Sequence, residues 1–223
     1  MAESPNRIVS IDGRDRRPWA LKTREDILKA AISEIADRGY ENARLVDIAE
    51  RAGLTVGSIY TWFTNKRDLF VSALSYSIEE QQAKAAKVIA ELHEAGTIAP
   101  NTPKWIIAVA ALNPFDDTSR QPSTSQRLVQ EALRVAWRDD ELRSSIVPLI
   151  HSIFNQYLSV MDEASAEGEV ADHVDVEIFA RIMMAIPIGL TLMNLAALDP
   201  PDQRRYIPFF RSLGALVRQP PTP

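Results

Sequence analysis

The chain has 223 residues, of which 46% are apolar and 25% charged, and it has no cysteine. These proportions are ordinary for a soluble globular protein, and the lack of cysteine excludes a disulfide framework, a thiolate zinc site and a cysteine nucleophile. The net charge of −5 is unevenly spread, because residues 1–70 hold 12 Lys or Arg against 11 Asp or Glu, and the rest hold 13 against 19. The N-terminal third is therefore better suited to an anionic partner.

Residues 1–20 are predicted to be a flexible arm with no apolar run long enough for a secretion signal. We therefore expect a cytoplasmic protein. Arg14, Arg16, Arg17 and Lys22 lead from this arm into the first helix. Such a basic arm either touches the minor groove or phosphates of DNA or is a disordered tail, and the sequence leaves both open.

The first helix is predicted to begin at Thr23, which forms an N-cap pair with Asp26, and to end at Gly39. Apolar residues at helical spacing give it one buried face. That face consists of Ile27, Leu28, Ala31, Ile32 and Ile35.

Two crossed helices joined by a tight turn are predicted between Leu45 and Thr64. Ala49 is small enough for the point where the helices cross, Gly53 can adopt the positive φ of the turn, and Ile59 can fill the wedge between them. This spacing predicts a helix-turn-helix that exposes one short helix, Thr55 to Phe63. Such a helix fits the major groove of B-DNA, where every base pair shows a distinct pattern of donors and acceptors.

The segments RGYE at 38–41, DIAERAGL at 47–54 and GSIYTWFTNKRDLF at 57–70 occur here in order. Together they make the stretch from Thr23 to Phe70 resemble the N-terminal domain of the TetR family of transcriptional regulators. The second helix departs from the family pattern, because Ala43, Arg44 and Leu45 stand where a Ser or Thr cap is usual. The recognition helix also carries Val56 where polar residues are common.

Downstream, a run without Pro or Gly predicts one long helix that is capped by Asn65 with Asp68 and reaches about Ala95. Because it starts next to the recognition helix, we expect it to link the DNA-contacting end to the rest of the chain. Further helices are predicted at 103–113, 123–137, 140–167 (bent near Pro148), 174–198 and 201–217, with a polar loop at 114–122.

The predicted fold class is all-α, with about nine helices and no alternating β pattern of useful length. A three-helix helix-turn-helix DNA-binding domain at 21–68 follows the arm. The resemblance implies that residues 69–218 form a larger helical ligand-binding and dimerisation domain, and 219–223 are predicted to be a disordered tail.

The recognition helix supplies most of the predicted DNA contacts. Thr55, Val56 and Gly57 open the helix and are expected to face base edges, with Val56 against a thymine methyl group. The resemblance implies that Tyr60 contacts a phosphate or a base and that Ser58 and Lys66 bind phosphates. The predicted set is Arg44, Thr55, Val56, Gly57, Ser58, Tyr60, Thr61, Trp62 and Lys66, of which Trp62 fits core packing equally well.

One such domain offers few phosphate contacts, so specific affinity is expected to need a homodimer on a palindromic operator. The dimer seam is predicted in the last two helices, as a four-helix bundle with the partner. The alternative is that the same residues form a monomer core. The predicted seam consists of Phe179, Met183, Ile186, Leu190, Met193, Leu213 and Leu216.

The resemblance also implies a small-molecule effector that binds the C-terminal domain and shifts the long helix. Large apolar residues on the central helices are the candidates for its pocket, although each fits an ordinary core as well. They are Trp105, Trp137, Phe154, Tyr157, Met161 and Met184. This composition suggests a mostly apolar effector with few polar anchors.

The uncharged stretch Ile182 to Leu198 has 17 residues, at the lower limit for crossing a bilayer. Pro187, Gly189, Thr191 and Asn194 interrupt it. We therefore interpret it as a buried helix or dimer seam and expect no membrane partner.

Enzyme chemistry is disfavoured, because the chain has no Gly-rich phosphate loop and no GxSxG or HExxH motif. His93, His151 and His173 are far apart in sequence, and no cofactor or metal is expected. A helical protein-interaction module would not need an exposed recognition helix. The sequence thus predicts a ligand-responsive transcriptional regulator, most often a repressor in this family, while an activator or a ligand-independent regulator would leave the same pattern.

Overall fold

The computed structural model describes residues 17–94, 105–107, 122–198, 209 and 212–217. Throughout these ranges the regular structure is helical and no strand is present, which confirms the all-α class. Residues 105–107 and 212–217 are helical as well. The longer elements are α1 (Arg17–Asn42), α2 (Leu45–Arg51), α3 (Val56–Tyr60), α4 (Lys66–Glu94), α5 (Thr124–Ala136), α6 (Asp140–Ala166) and α7 (Val176–Leu195).

Some sequence predictions lie outside the described residues. These are Arg14 and Arg16 of the arm, the loop at 114–121, the C-terminal tail, and most of the helices predicted at 103–113 and 201–217.

The chain forms two compact units, the first ending at Ala73 and the second beginning at Leu74. This division lies within α4, a few residues beyond the predicted domain boundary at residue 68. Helix α4 therefore contributes residues to both units.

Helix α1 begins earlier than predicted, at Arg17 rather than Thr23. The hydroxyl of Thr23 donates a hydrogen bond of 3.0 Å to the carbonyl oxygen of Trp19 one turn before it, so it lies inside the helix and does not cap it. Gly39, with φ 79° and ψ 157°, interrupts the helical geometry where the sequence predicted an end.

The core of the first unit is built from the faces that the hydrophobic spacing predicted. All five predicted residues of α1 are buried, and so are Ile48, Ile59, Phe63 and Leu69 from the following elements. The ring of Phe70 stacks on Tyr40 with 4.7 Å between centroids, which joins the start of α4 to the last turns of α1. Burial of this apolar surface is what holds such short helices in place.

In the second unit, α7 packs on α6, and α6 packs on α5. Trp105 is fully buried and meets Phe179 edge to face at 5.0 Å between centroids. The amide of Ala171 donates to the carbonyl oxygen of Val217 at 2.7 Å, which fixes the helical segment 212–217 against the loop after α6. The central cluster comprises Trp105, Tyr157, Met161, Ala164, Val170, Phe179, Ala180 and Met183.

Among the described helices, the segment Val176–Met193 is long and apolar enough to cross a membrane by length and composition. Core helices of soluble proteins pass the same test, and Phe179, Ala180 and Met183 of this segment are buried in the cluster just described. The segment therefore gives only weak evidence for a membrane span.

Candidate functional site

The turn between α2 and α3 has the conformation that the helix-turn-helix spacing predicted. Gly53 adopts a φ of 67°, and the amide of Leu54 donates to the carbonyl oxygen of Ala49 at 2.9 Å, which closes the end of α2. The side chain of Thr55 then caps α3 by accepting a hydrogen bond of 3.2 Å from the amide of Ser58. The chain therefore reverses within a few residues and starts α3 at a defined angle to α2.

The recognition helix places its side chains on two sides. Ile59 is only 1% exposed and anchors the helix to the core, whereas Tyr60 is 56% exposed. Trp62 is also exposed, although less than Tyr60, and Thr61 donates to the carbonyl oxygen of Gly57 at 3.1 Å. Val56 and Ser58 are half-buried, while Thr55, Gly57 and Thr61 are exposed. Of the predicted contact residues between Thr55 and Trp62, Thr55, Gly57, Tyr60, Thr61 and Trp62 are thus exposed, and Val56 and Ser58 are partly accessible.

Arg44 precedes α2 in extended conformation, with φ −110° and ψ 141°, and its side chain makes no capping hydrogen bond. This agrees with the missing Ser or Thr cap in the sequence. The side chain of Arg44 is exposed, which leaves it accessible to a DNA phosphate.

Lys66 connects the end of α1 to the start of α4. Its Nζ donates to the carbonyl oxygen of Glu41 at 3.0 Å and lies 4.8 Å from the centroid of the Tyr40 ring. Partial burial lowers the pKa of this ammonium group, and the charge of Glu41 opposes the shift. Lys66 therefore has a structural role in addition to the phosphate contact that was predicted for it.

An ion-pair network that the sequence analysis did not predict fixes α1 to α2. Glu34 lies 2.9 Å from Arg38 within α1 and 2.9 Å from Arg51 in α2, although it is a buried carboxylate. Arg51 also approaches Asp37 at 3.4 Å, and Arg38 approaches Asp47 at 3.6 Å. The i,i+4 spacing of Glu34 and Arg38 is visible in the sequence, but the pairs between helices depend on tertiary structure.

Comparison with known proteins identifies the family. The profile described as "Bacterial regulatory proteins, tetR family" matches residues 27–73. The chain is also 32% identical over 188 residues to the HTH-type transcriptional repressor BepR of Brucella suis biovar 1 (strain 1330), covering 79% of this chain and 82% of BepR. The chain belongs to the TetR family. This TetR-family protein is accordingly a DNA-binding transcriptional regulator.

Solved structures agree with the fold of this regulator. A crystal structure from Rhodococcus sp. assigned to the TetR family matches with a TM-score of 0.70 at 21% identity, over 86% of this chain and 98% of that one. FadR of Bacillus subtilis, solved in complex with stearoyl-CoA, matches with a TM-score of 0.60 at 21% identity, over 78% of this chain and 90% of that one.

The C-terminal unit of this TetR-family regulator contains a cavity of about 130 Å³. Its walls come from α4, from α5 and the residue before it, from α6 and from α7. The lining residues are Ser77, Ile78, Gln81, Gln82, Ser123, Ser125, Gln126, Val129, Gln130, Ile153, Gln156, Tyr157, Met184, Pro187, Ile188 and Thr191.

The predicted pocket residues are divided between this cavity, the core and the surface. Tyr157 and Met184 line the cavity. Trp105 and Met161 are buried in the central cluster, and Phe154 packs against it. Trp137 is 83% exposed, because it follows the last turn of α5 and points out of the unit instead of lying between helices. The sequence did not indicate the polar part of the wall, which consists of glutamine, serine and threonine side chains.

The predicted dimer residues also fall into different environments. Phe179 and Met183 are buried in the central cluster, so they belong to the core of the unit and not to its surface. Ile186, Leu190 and Leu213 are half-buried. Met193 and Leu216 are exposed. The exposed apolar residues of α7 are Ile178, Ile182, Ala185, Leu192 and Met193. The first three lie one position before predicted residues, whereas Met193 is itself a predicted residue.

Proposed function

We propose that this regulator is a homodimeric repressor that binds a palindromic operator in the cytoplasm and is released from it by a small effector. The observation that carries the DNA-binding part is the recognition helix itself. Its buried Ile59 fixes the helix on the core while Tyr60, on the adjacent position, remains exposed. The similarity to the repressor BepR supports repression as the mode of regulation.

In this proposal residues at the start of α3 contact base edges, and residues around α3 contact the backbone of DNA. Val56 and Gly57, in the first turn of α3, contact bases in the major groove, Val56 through a thymine methyl group. Tyr60 contacts a phosphate or a base next to them. Arg44 binds a phosphate on one side of the groove and sets the register of the helix without reading sequence.

The homodimer is proposed to form through the exposed face of α7. Ile178, Ile182 and Met193 are large apolar side chains that are each at least half exposed in the single chain. A row of such residues at helical spacing on one helix is unusual for a free surface. A second copy packed against it in a four-helix arrangement would remove this surface from water and pair two recognition helices on a two-fold axis.

The effector is proposed to act through the cavity of the C-terminal unit. Ser77, Ile78, Gln81 and Gln82 of its wall lie on α4, the helix that begins at Lys66 just after the recognition helix. A ligand that fits the cavity better when α4 is displaced would lower the affinity for DNA. Bound DNA would lower the affinity for the ligand by the same factor. Such coupling is typically about 1–3 kcal/mol. The stearoyl-CoA complex of FadR supports effector binding within this fold.

Substitutions on the DNA-binding surface test the proposed contacts. Tyr60→Ala and Arg44→Ala should each weaken binding to the operator and leave the thermal unfolding midpoint of the protein unchanged. Lys87→Ala is the matched control, since Lys87 is an exposed residue in the C-terminal half of α4 whose removal changes the net charge as Arg44→Ala does.

Binding should be measured by fluorescence anisotropy over a range of salt concentrations. Arg44→Ala should reduce the slope of log affinity against log salt by about 0.9 for each phosphate that the variant no longer neutralises, while Lys87→Ala should leave the slope as it is. If both charge variants behaved alike, Arg44 would not bind a phosphate. If Tyr60→Ala bound the operator normally, the proposed recognition surface would be wrong.

A further inference from the structure

The wall of the cavity in the C-terminal unit contains no acidic or basic side chain among the described residues. Its polar members are five glutamines, three serines, one threonine and Tyr157. The phenol of Tyr157 is uncharged at physiological pH even at its ordinary pKa of 10.0, and burial raises this pKa to about 12. A charged ligand would lose hydration on entry and find no opposite charge in this wall, which is costly.

Gln130 on α5 supplies a hydrogen-bond donor that has no acceptor among the described residues. Its Nε2 is buried from water, and a buried donor without a partner is unfavourable. Some other polar groups of the wall already have hydrogen-bond partners. The hydroxyls of Ser77 and Ser125 are bonded at 3.1 Å, and Oε1 of Gln126 accepts from the amide of Ser123 at 2.8 Å.

The terminal torsion of a glutamine side chain is soft. Gln130 is one of the lining residues, so rotation about this torsion can turn its N–H groups toward a ligand in the cavity. An oxygen that accepts this hydrogen bond would remove the cost of the unpaired donor, so the gain is larger than for an average surface contact.

The volume of the cavity indicates the size of ligand that it can hold. Its volume of about 130 Å³ is close to the ~150 Å³ of an engineered apolar cavity that binds benzene. One ring with a short substituent fits this space.

We propose that the effector is an uncharged molecule of about one ring that carries a carbonyl or ether oxygen, and that Nε2 of Gln130 donates a hydrogen bond to this oxygen. The inference rests on the proposed effector role of the cavity. The apolar part of the ligand lies against Ile153, Met184 and Ile188, and its oxygen faces Gln130.

Four probes of similar size test the ligand class by isothermal titration calorimetry on the full chain. Acetophenone is neutral and carries a carbonyl oxygen, isopropylbenzene lacks an acceptor, benzoate is an anion and benzamidine is a cation. Acetophenone should bind most tightly and the two ions most weakly. Tighter binding of benzoate or benzamidine than of acetophenone would overturn the proposal, and so would the lack of binding by all four.

Variants at Gln130 test the anchor. Gln130→Leu should weaken the binding of acetophenone by about 2- to 10-fold, as expected for one neutral hydrogen bond. The affinity for isopropylbenzene should remain nearly unchanged. Asn155→Leu removes an amide from the exposed side of α6 and serves as the matched control. If Gln130→Leu did not fold, Gln130→Asn would carry the same amide on a shorter side chain and should also weaken the binding of acetophenone. Unchanged acetophenone affinity in the folded variant would contradict the role of Gln130.

A separate measurement distinguishes failure of the ligand class from failure of the proposed function. Acetophenone should be added to the complex of the full chain with operator DNA while anisotropy is followed. Release of DNA supports both proposals. Binding of acetophenone in calorimetry without release of DNA would keep the ligand class and contradict the effector role of the cavity.

Discussion

The carboxylate of Glu34 on α1 lies 2.9 Å from the guanidinium group of Arg51 in the last turn of α2, although Glu34 is only 1% exposed. A buried carboxylate needs such partners, because an unpaired charge in the interior is strongly unfavourable. The pair therefore fixes the position of α2, against which the recognition helix is placed. The DNA-binding surface thus depends on residues that do not themselves belong to it.

Arg51→Ala should lower the free energy of unfolding of the protein by about 1–3 kcal/mol, because it leaves Glu34 with fewer partners. Arg38, at 2.9 Å from the same carboxylate, limits the loss. Chemical denaturation measures the effect. Lys29→Ala, which breaks the exposed pair of Lys29 with Glu25 in the same helix, is the control and should cost less than about 1 kcal/mol. Equal losses of unfolding free energy in the two variants would show that the buried pair contributes no more stability than the exposed one.

Gly53→Ala should destabilise the protein by about 1–2 kcal/mol, because φ of 67° is unfavourable for a residue with a Cβ atom. No steric clash adds to this cost, since a Cβ at this position meets nothing within 4 Å. Gly168→Ala is a matched control with φ of 74° and equally open surroundings. Both should lower the thermal midpoint, but only Gly53→Ala should also weaken operator binding. Loss of operator affinity in both would indicate a general effect of destabilisation.

The phenol of Tyr157 predicts a loss of stability at alkaline pH. Its pKa is raised from 10.0 to about 12 in the folded chain, so between these values the folded state keeps a proton that the unfolded state has released. Stability from this group is complete below pH 10 and falls as the pH rises, by about 1 kcal/mol between pH 9 and pH 11.

Tyr157→Phe removes this contribution. The free energy of unfolding of the original protein should therefore fall relative to that of Tyr157→Phe as the pH rises above 10. Urea denaturation at several pH values measures it. A difference that is constant with pH would mean that Tyr157 titrates normally.

The two neighbouring residues Ile182 and Met183 test the register of the proposed dimer face. Ile182 is 50% exposed and Met183 is 1% exposed. Ile182→Glu should shift the protein from dimer to monomer in sedimentation equilibrium while it retains its helical content. Met183→Ala should instead leave the dimer intact and lower the free energy of unfolding by about 2–5 kcal/mol, because it opens a cavity in the core. A dimer that survived Ile182→Glu would place the interface elsewhere.

Local spacing was enough to predict much of the DNA-binding unit, although it placed the start of α1 at Thr23 instead of Arg17. The apolar face of α1, the positive φ of Gly53 and the cap at Thr55 follow from helical periodicity and backbone preferences, and the structure has all three. The missing side-chain cap at Arg44 was visible in the same way. The pairs of Arg51 with Glu34 and Asp37 could not be predicted from local spacing, because they join residues from different helices.

The C-terminal unit was less predictable, since periodicity gives the apolar side of a helix but not what covers it. On α7 apolar residues surround the axis, so the sequence did not separate buried Phe179 and Met183 from exposed Ile178 and Ile182. The cavity was missed for a related reason. Its glutamine-rich wall comes from separate helices, and no single segment shows it.

Sequence-specific binding by a dimer is the central claim, and its most direct test is fluorescence anisotropy of the purified protein with a labelled fragment from immediately upstream of its own gene. The titration should be run at two salt concentrations and with random DNA as competitor. We predict saturable, salt-sensitive binding that survives the competitor, with two protomers per site or a multiple of two. Binding no tighter than to random DNA, both for this fragment and for sequences selected from a random pool, would contradict the claim.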